Sequence, residues 1–295
     1  MGRIETRGLS RSFGEVRAVE QVDLVVEPGR LTGFVGGNGA GKTTTMRMVM
    51  GLLRPDAGEV LWDDRPMTAD DRRRFGYMPE ERGLYPKQKV ADQLVYLAEL
   101  SGMRAAEAWA AVRSHLERFG LADRAGDRVE ALSLGNQQRV QIIAALLHEP
   151  IALVLDEPFS GLDPAAVDAT AEVLRHRAAS GVPVLFSSHQ LDLVERLCDS
   201  LVVLSHGRVV TAGDVGELRA AGPTRYRVVA EGDAGWVGDV PGIRVHHLDG
   251  RTALFEPLAE GAEQRVLREA LARGPVREFS RVVPALAEVY REVTA

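Results

Sequence analysis

The chain has one cysteine in 295 residues, no long apolar run and no surplus of positive charge. Its single thiol, Cys198, has no partner for an internal disulfide, so the sequence reads as a cytosolic chain. Within LDLVERLCDSLVVL that thiol reads as a small buried hydrophobe. Apolar stretches such as IALVL and LVVL fall far short of the ~18 residues that a membrane helix needs, and the opening MGRIETRGLS has no apolar core of a secretory signal. Any membrane role is therefore expected to run through a partner. Lys and Arg number 36 against 42 Asp and Glu, for a net charge of -6 and a pI of about 5.7, which disfavours nucleic-acid binding through a broad basic face.

What is present is an ordinary globular mix, 45% hydrophobic and 26% charged, in a chain long enough for about two domains. Up to Gly58 the pattern runs strand, loop, helix: VDLVVEPG ends in a turn, RLTGFVG is a short buried strand, and KTTTMRMVMGLL a helix. From about 87 to 150 the periodicity is helical, in VADQLVYLAEL and AAEAWAAVRSHLERFG. Strand signals return in IALVLDEP and VPVLFSSH around the helical AAVDATAEVLRHRAA, which predicts parallel strands joined by a crossover in an α/β domain. Residues 214–295 read as a separate small α+β domain. They contain TRYRVVAEG, a hairpin GIRVHHLDGRTALFEP turning at Asp249 and Gly250, the helical GAEQRVLREALARG, the strand VREFSRVV and a last helix PALAEVYREV.

The stretch GGNGAGKTTT, Gly36 to Thr45, stands between a strand and a helix, and its first eight residues fit the spacing G-x-x-x-x-G-K-[ST]. Glycines let successive backbone N–H groups turn toward phosphate oxygens, and the helix N-terminus adds partial positive charge. In such a loop Lys42 reaches the β- and γ-phosphates, and the Thr43 hydroxyl ligates Mg2+. Taken alone, the loop leaves kinases, GTPases, recombinases and transporter motors open. In IALVLDEP the acids Asp156 and Glu157 end an apolar strand, where one carboxylate can hold Mg2+ and its neighbour can polarise an attacking water; two acids there can also simply start a helix. In LSLGNQQRVQ a Ser-x-Gly turn opens a helix, which is either a second amide-rich anion site or an ordinary capped terminus.

With these motifs in this order, residues 3 to 215 resemble the nucleotide-binding subunits of ATP-binding-cassette (ABC) transporters. GGNGAGKT is similar to their Walker A loop, LSLGNQQ to the signature motif, LVLDE to Walker B, SGLD to the D-loop, and His189 in LFSSHQ to the switch histidine. The resemblance implies a P-loop NTPase fold over 1–213, with a RecA-like core, an antiparallel β subdomain and a helical insert at about 87–150. It implies ATP and Mg2+ as ligands. Asn38, Gly39, Ala40, Gly41, Lys42, Thr43 and Thr44 would cradle the phosphates, and Phe13 in SRSFG would stack on adenine. Thr43, Asp156 and Glu80 would hold the metal, Glu157 would act as base on water, and His189 would reach the γ-phosphate. Two cassettes would dimerise head to tail, so that Ser133 and Gly135 of one copy face the phosphate loop of a second copy or homologous cassette and Asp163 links the sites.

Departures from the pattern are Gly37 in place of the loop's usual proline, Leu134 and Asn136 within the signature, and Glu80, in RFGYMPEERGLYP, where most cassettes carry glutamine. GYMPEERGLYP with LSLGNQQRVQ resembles the sodium-export branch, which pairs with ABC-2-class permeases and tends to carry a C-terminal accessory domain. The function implied is ATP hydrolysis energising export through a separate integral-membrane permease, the chain lying peripherally at the cytoplasmic face of the membrane, with no nucleic acid expected. The competing class is a soluble cassette ATPase acting on nucleic acid or ribosomes. Against it stand the single cassette and the lack of extended heptads between Lys42 and Asp156. Outside the motifs, DRRRF at 71–75 reads as a solvated turn, Trp62, Trp109 and Trp236 as structural, and His246 with His247 as exposed strand residues rather than a metal site.

Overall fold

The computed structural model describes residues 2–282 apart from 82, 221 and 223, together with 286–288. They form two compact units that meet in sequence at Asp214 and Val215. The first contains β1 (Ile4–Phe13), β2 (Val16–Val26), β3 (Leu31–Val35), α1 (Lys42–Val49), β4 (Ala57–Trp62), β5 (Arg65–Pro66), α2 (Ala69–Arg73) and β6 (Phe75–Met78). Next come three helices, α3 (Val90–Leu100), α4 (Ala105–Arg118) and α5 (Leu134–Leu146). The unit closes with β7 (Ala152–Leu155), α6 (Pro164–Ala179), β8 (Val184–Ser188), α7 (Leu191–Leu197), β9 (Ser200–Ser205) and β10 (Arg208–Asp214).

Two sheets result. One is antiparallel, in the order β2-β1-β4-β5; the other runs β10-β9-β3-β8-β7-β6, parallel except for β10. Every residue of β3, β7 and β8 is buried, which is why LTGFV, ALVL and VLFSS read as continuous rather than alternating runs: a parallel strand is covered on both faces. The helical insert packs by helical spacing. Val90, Leu94 and Ala98 line the buried side of α3, and Ala108, Val112 and Leu116 that of α4.

The parallel register brings the carboxyl ends of four strands side by side, with Val35 opposite Ser188, Phe186 opposite Leu155, and Leu155 opposite Met78. Ligands of open α/β sheets bind beyond these ends. The phosphate loop, Asp156 with Glu157, His189 and Glu80 each follow one of these four strands.

The second unit holds α8 (Val215–Ala220), β11 (Arg225–Ala230), β12 (Ile243–Asp249), β13 (Thr252–Pro257), α9 (Ala262–Arg273) and β14 (Val276–Val282), its sheet ordered β12-β13-β11-β14. Its core gathers Val228, Phe255, Val266 and Ala270, with Tyr226 stacked on Phe255 at 5.9 Å and on Phe279 at 5.6 Å. Asp249 pairs with Thr252, so the hairpin turns on Gly250 and Arg251, one residue later than the sequence suggests. Leu286 to Glu288 are helical, and the rest of PALAEVYREV lies outside the described residues.

Two sequence readings change. DRRRF is not a solvated turn: 71–73 end the helix α2, and Phe75 is buried at the start of β6. Asp71 is itself buried, forms a capping box with Thr68, and takes a bidentate pair from Arg65 at 2.7 Å to each oxygen. A charge-rich stretch hides this because the acid's partner lies six residues upstream. Trp109 is 45% exposed on α4, and Trp62 is buried against Phe75 at 4.9 Å. Cys198 is only partly covered as a residue, but its thiol is packed, and burial pushes that thiol well above the ordinary range.

The Arg65 guanidinium, joined by the hydroxyl and N–H of Thr68, holds the Asp71 carboxyl well below the usual carboxylate range. A depressed folded pKa contributes stability above the unfolded value of about 4, and that stability is lost as pH falls through the folded value. Asp71→Ala is expected to cost about 1–2 kcal/mol at pH 7 through the lost cap and charged pair. In urea melts the gap between wild type and variant should close only well below pH 4 or so. An equal gap at pH 7 and at strongly acid pH would contradict this account.

Candidate functional site

The loop after β3 is shaped by close approach. A Cβ on Gly36 would lie 2.5 Å from the Leu204 carbonyl oxygen, and one on Gly41, whose φ is +104°, would lie 2.4 Å from that of Ala18. A Cβ on Gly37 would meet no atom within 4 Å, so close approach does not require glycine there. Lys42 begins α1, is 8% exposed, and donates from Nζ to the carbonyls of Gly36 at 2.7 Å and Gly37 at 3.2 Å. Its ammonium is thus held inside the curl of the loop. The Thr43 hydroxyl donates to Glu80 Oε2 at 3.3 Å, which brings the residue after β6 against the first turn of α1.

Beyond β7 the two acids have different surroundings. Asp156 is fully buried; its Oδ1 accepts from the Ser187 hydroxyl at 2.5 Å, and its Oδ2 is buried with no protein partner. Glu157 adopts a left-handed backbone, φ +51°, a conformation that a non-glycine residue keeps only where its surroundings enforce it. Its N–H donates to Ser187 Oγ at 2.8 Å, and its carbonyl accepts from Gln138 Nε2 at 2.9 Å. The side chain then meets His189, whose ring N–H at Nδ1 donates to Oε1 at 3.0 Å. Next to Asp156 the Tyr77 phenol is pushed up, by burial first and by that carboxylate second.

A cavity of about 350 Å³ is lined by Phe13, Ala18, residues 38–44, Glu80, Asp156 and Glu157. A second, of about 690 Å³, shares Asn38, Glu80 and Glu157 and adds Glu81, Leu134, Gln138, Ser160, Gly161 and His189. Most of the candidate residues therefore face one connected region. Ser133, Gly135 and Asp163 line neither cavity. Ser133 caps α5 by accepting from the Asn136 N–H at 3.3 Å, and Gly135 lies against the Gly161 carbonyl. Asp163 caps α6 through the Ala166 N–H at 2.8 Å and meets Arg139 at 3.4 Å.

Sequence reasoning missed Ser187, Gln138 and Arg139. The signal for the first was a pair of serines, Ser187 and Ser188, ending an apolar strand run, since a buried hydroxyl needs a partner. For Gln138 it was a glutamine one turn into a helix that buries most of its residues, where an amide must likewise be satisfied.

The donors gathered here suit a hard divalent cation: the Thr43 hydroxyl and the carboxylates of Glu80 and Asp156, the latter with one buried oxygen unpartnered, all oxygen and no sulfur. Among the described residues no three acidic, histidine or cysteine side chains converge closely enough to hold an ion alone. An ion here would complete its shell from phosphate and water, the usual habit of Mg2+.

Residues 19–160 match the family model described as ABC transporter, and residues 213–294 match the C-terminal domain of DrrA1-3-like ATP-binding proteins. The chain is 40% identical, over 96% of each chain, to an uncharacterized ABC transporter ATP-binding protein, YhaQ, of Bacillus subtilis. It is 37% identical over 71% of this chain and 70% of the relative to a Nod factor export ATP-binding protein of Burkholderia lata. A solved ATP-binding subunit of an ABC transporter superposes with a TM-score of 0.68 at 35% identity, covering 74% of this chain and 92% of that one. The cradle after β3, the paired acids after β7 and these likenesses together assign the chain to the ABC transporter family, as an ATP-binding subunit with ATPase activity.

Proposed function

We propose that this subunit energises export through a separate integral-membrane permease of the ABC-2 class, working as a dimer with a second copy of itself or a homologous cassette. The observation that carries the catalytic part is the pairing of Asp156 and Glu157 through Ser187. One hydroxyl fixes a buried carboxylate with a free oxygen beside the phosphate loop, and fixes the backbone of a second carboxylate that faces the cavity. On this reading Thr43, Asp156 and Glu80 hold Mg2+, which when bound neutralises phosphate charge. Asn38, Gly39, Ala40, Gly41, Lys42, Thr43 and Thr44 bind the phosphates, and Phe13 receives adenine. Glu157 accepts the proton of the attacking water, and the His189 contact at 3.0 Å orients its carboxylate.

Ser133 and Gly135, set on the exposed first turn of α5 beside Leu134 at 59% exposure, would meet the γ-phosphate held by the other copy. Asp163 would lie where the two copies meet. Binding would draw the copies together because the phosphates bridge two amide-rich surfaces, and hydrolysis would release them. No helix among the described residues is long and apolar enough to cross a membrane, which accords with a permease on a separate chain at the cytoplasmic face. The export direction is supported by the Nod factor export relative. The permease class rests on GYMPEERGLYP and LSLGNQQRVQ.

The function is tested by affinity capture of the full chain from detergent-solubilised host membranes. A stoichiometric multi-span protein of ABC-2 type is expected, and recovery of ribosomes or soluble partners alone would overturn the reading. Glu157→Gln is expected to keep ATP binding, to lower hydrolysis about 100-fold or more, and to accumulate a dimer in saturating MgATP. A variant that stays monomeric on a sizing column would count against the shared site. Lys42→Ala should weaken ATP about tenfold or more by calorimetry, since a charge-assisted bond is lost; unchanged affinity would remove the phosphate-loop assignment.

A further inference from the structure

At the end of β1, Phe13 projects at 49% exposure into the cavity that holds the phosphate loop, and one face of its ring is already taken. The guanidinium carbon of Arg11 sits 5.1 Å from the ring centroid. Arg11 does not line that cavity, so it reaches the nucleotide region only through Phe13.

The arginine is itself held from behind. Its Nη1 donates to Asp56 Oδ1 at 2.6 Å and to the Arg54 carbonyl at 3.3 Å. Asp56 uses its other oxygen to accept the Ser12 backbone N–H at 2.8 Å, and its own N–H donates to the Ser10 carbonyl at 2.9 Å. Every residue from Ser10 to Phe13 is therefore tied, directly or through Arg11, to the turn before β4. The pairing of β1 with β2 breaks register on both sides of Arg11, between Leu9 and Arg11 and between Arg11 and Ser12. Irregularities of this kind re-aim a strand's side chains, and a purely structural ion pair needs none. The Ser12 N–H, and after it Arg11, draw the Asp56 carboxyl below its ordinary pKa, consistent with a charged anchor across the neutral range.

We propose that Arg11 is a positioning residue for the nucleotide base: anchored by Asp56, it covers one face of Phe13 and fixes the ring so that the other face is presented to a purine. This rests on the reading of Phe13 as the adenine contact. An exposed phenyl ring on a strand end otherwise samples several rotamers, and a base that stacks on it must first freeze one. A cation fixed on the far face removes that cost before the base arrives. The phosphate loop is untouched by the arrangement, so the benefit falls on the base alone.

The test measures binding of MgATP and of magnesium tripolyphosphate to the full-length protein by calorimetry, in wild type, Arg11→Met, Phe13→Ala, their double variant, and Asp56→Asn. Arg11→Met is expected to weaken ATP about two- to fivefold and leave tripolyphosphate unchanged, the range a single exposed cation–π contact supports. It should raise KM for ATP with kcat unchanged. The double variant should lose no more than Phe13→Ala alone, because Arg11 acts through the ring. Asp56→Asn keeps the size of every side chain and should shift the ratio of the two affinities the same way by less, which covers the case of an Arg11 variant that does not fold. Equal loss of both ligands in Arg11→Met would mean a disturbed loop and would overturn the proposal. An unchanged ATP affinity in Arg11→Met beside a weakened Phe13→Ala would overturn the role of Arg11 and leave the adenine contact standing. An unchanged ratio in Phe13→Ala would remove the adenine contact itself.

Discussion

The site depends on the register of four parallel strands. Val35 ends level with Ser188, and Met78 with Leu155 two residues earlier along β8, because each strand is paired with its neighbour across the sheet, and the groups of chemical interest hang on the loops that follow these ends. A slip of one residue in any strand would turn its side chains to the opposite face and shift its loop along the sheet. That cost is prohibitive here, since β3, β7 and β8 bury every residue. The apolar core therefore supplies the precision of the polar site.

Within that frame a single hydroxyl divides the labour of two adjacent acids. Ser187 accepts from the Glu157 N–H and donates to Asp156 Oδ1, so a group in β8 positions both residues after β7. Asp156 is left fully buried with one oxygen unpartnered, an arrangement that costs free energy unless a cation or donor meets it. Glu157 is turned by its left-handed backbone toward the cavity and held there by Gln138 and His189. Two consecutive carboxylates thus occupy different dielectric and geometric settings, the general way in which a pair of like groups is given unlike roles.

The fold class, and the residues that line the candidate site, were legible because their signals are local. The loop GGNGAGKT stands between a strand and a helix, LVLDE ends a buried run, and the shift from strand to helical periodicity near 87 marks the insert. What was hidden is non-local. The buried pair of Asp71 with Arg65 joins residues six apart in sequence, and Ser187 becomes informative only once β8 is known to lie beside β7.

Glu80 has a physical consequence that an amide at the same place would not have. An amide both donates and accepts, whereas a carboxylate only accepts, so the Thr43 hydroxyl must donate in their 3.3 Å contact. That leaves the threonine oxygen's lone pairs turned away from Glu80, free for an electrophile. The cavity then contains Glu80, Asp156 and Glu157 against the single ammonium of Lys42, which is occupied by the carbonyls of Gly36 and Gly37. A polyanionic nucleotide entering alone would meet net repulsion at close range. The same charges attract a divalent cation, so on the proposed reading this site selects the metal–nucleotide complex over the free nucleotide more strongly than one with glutamine would.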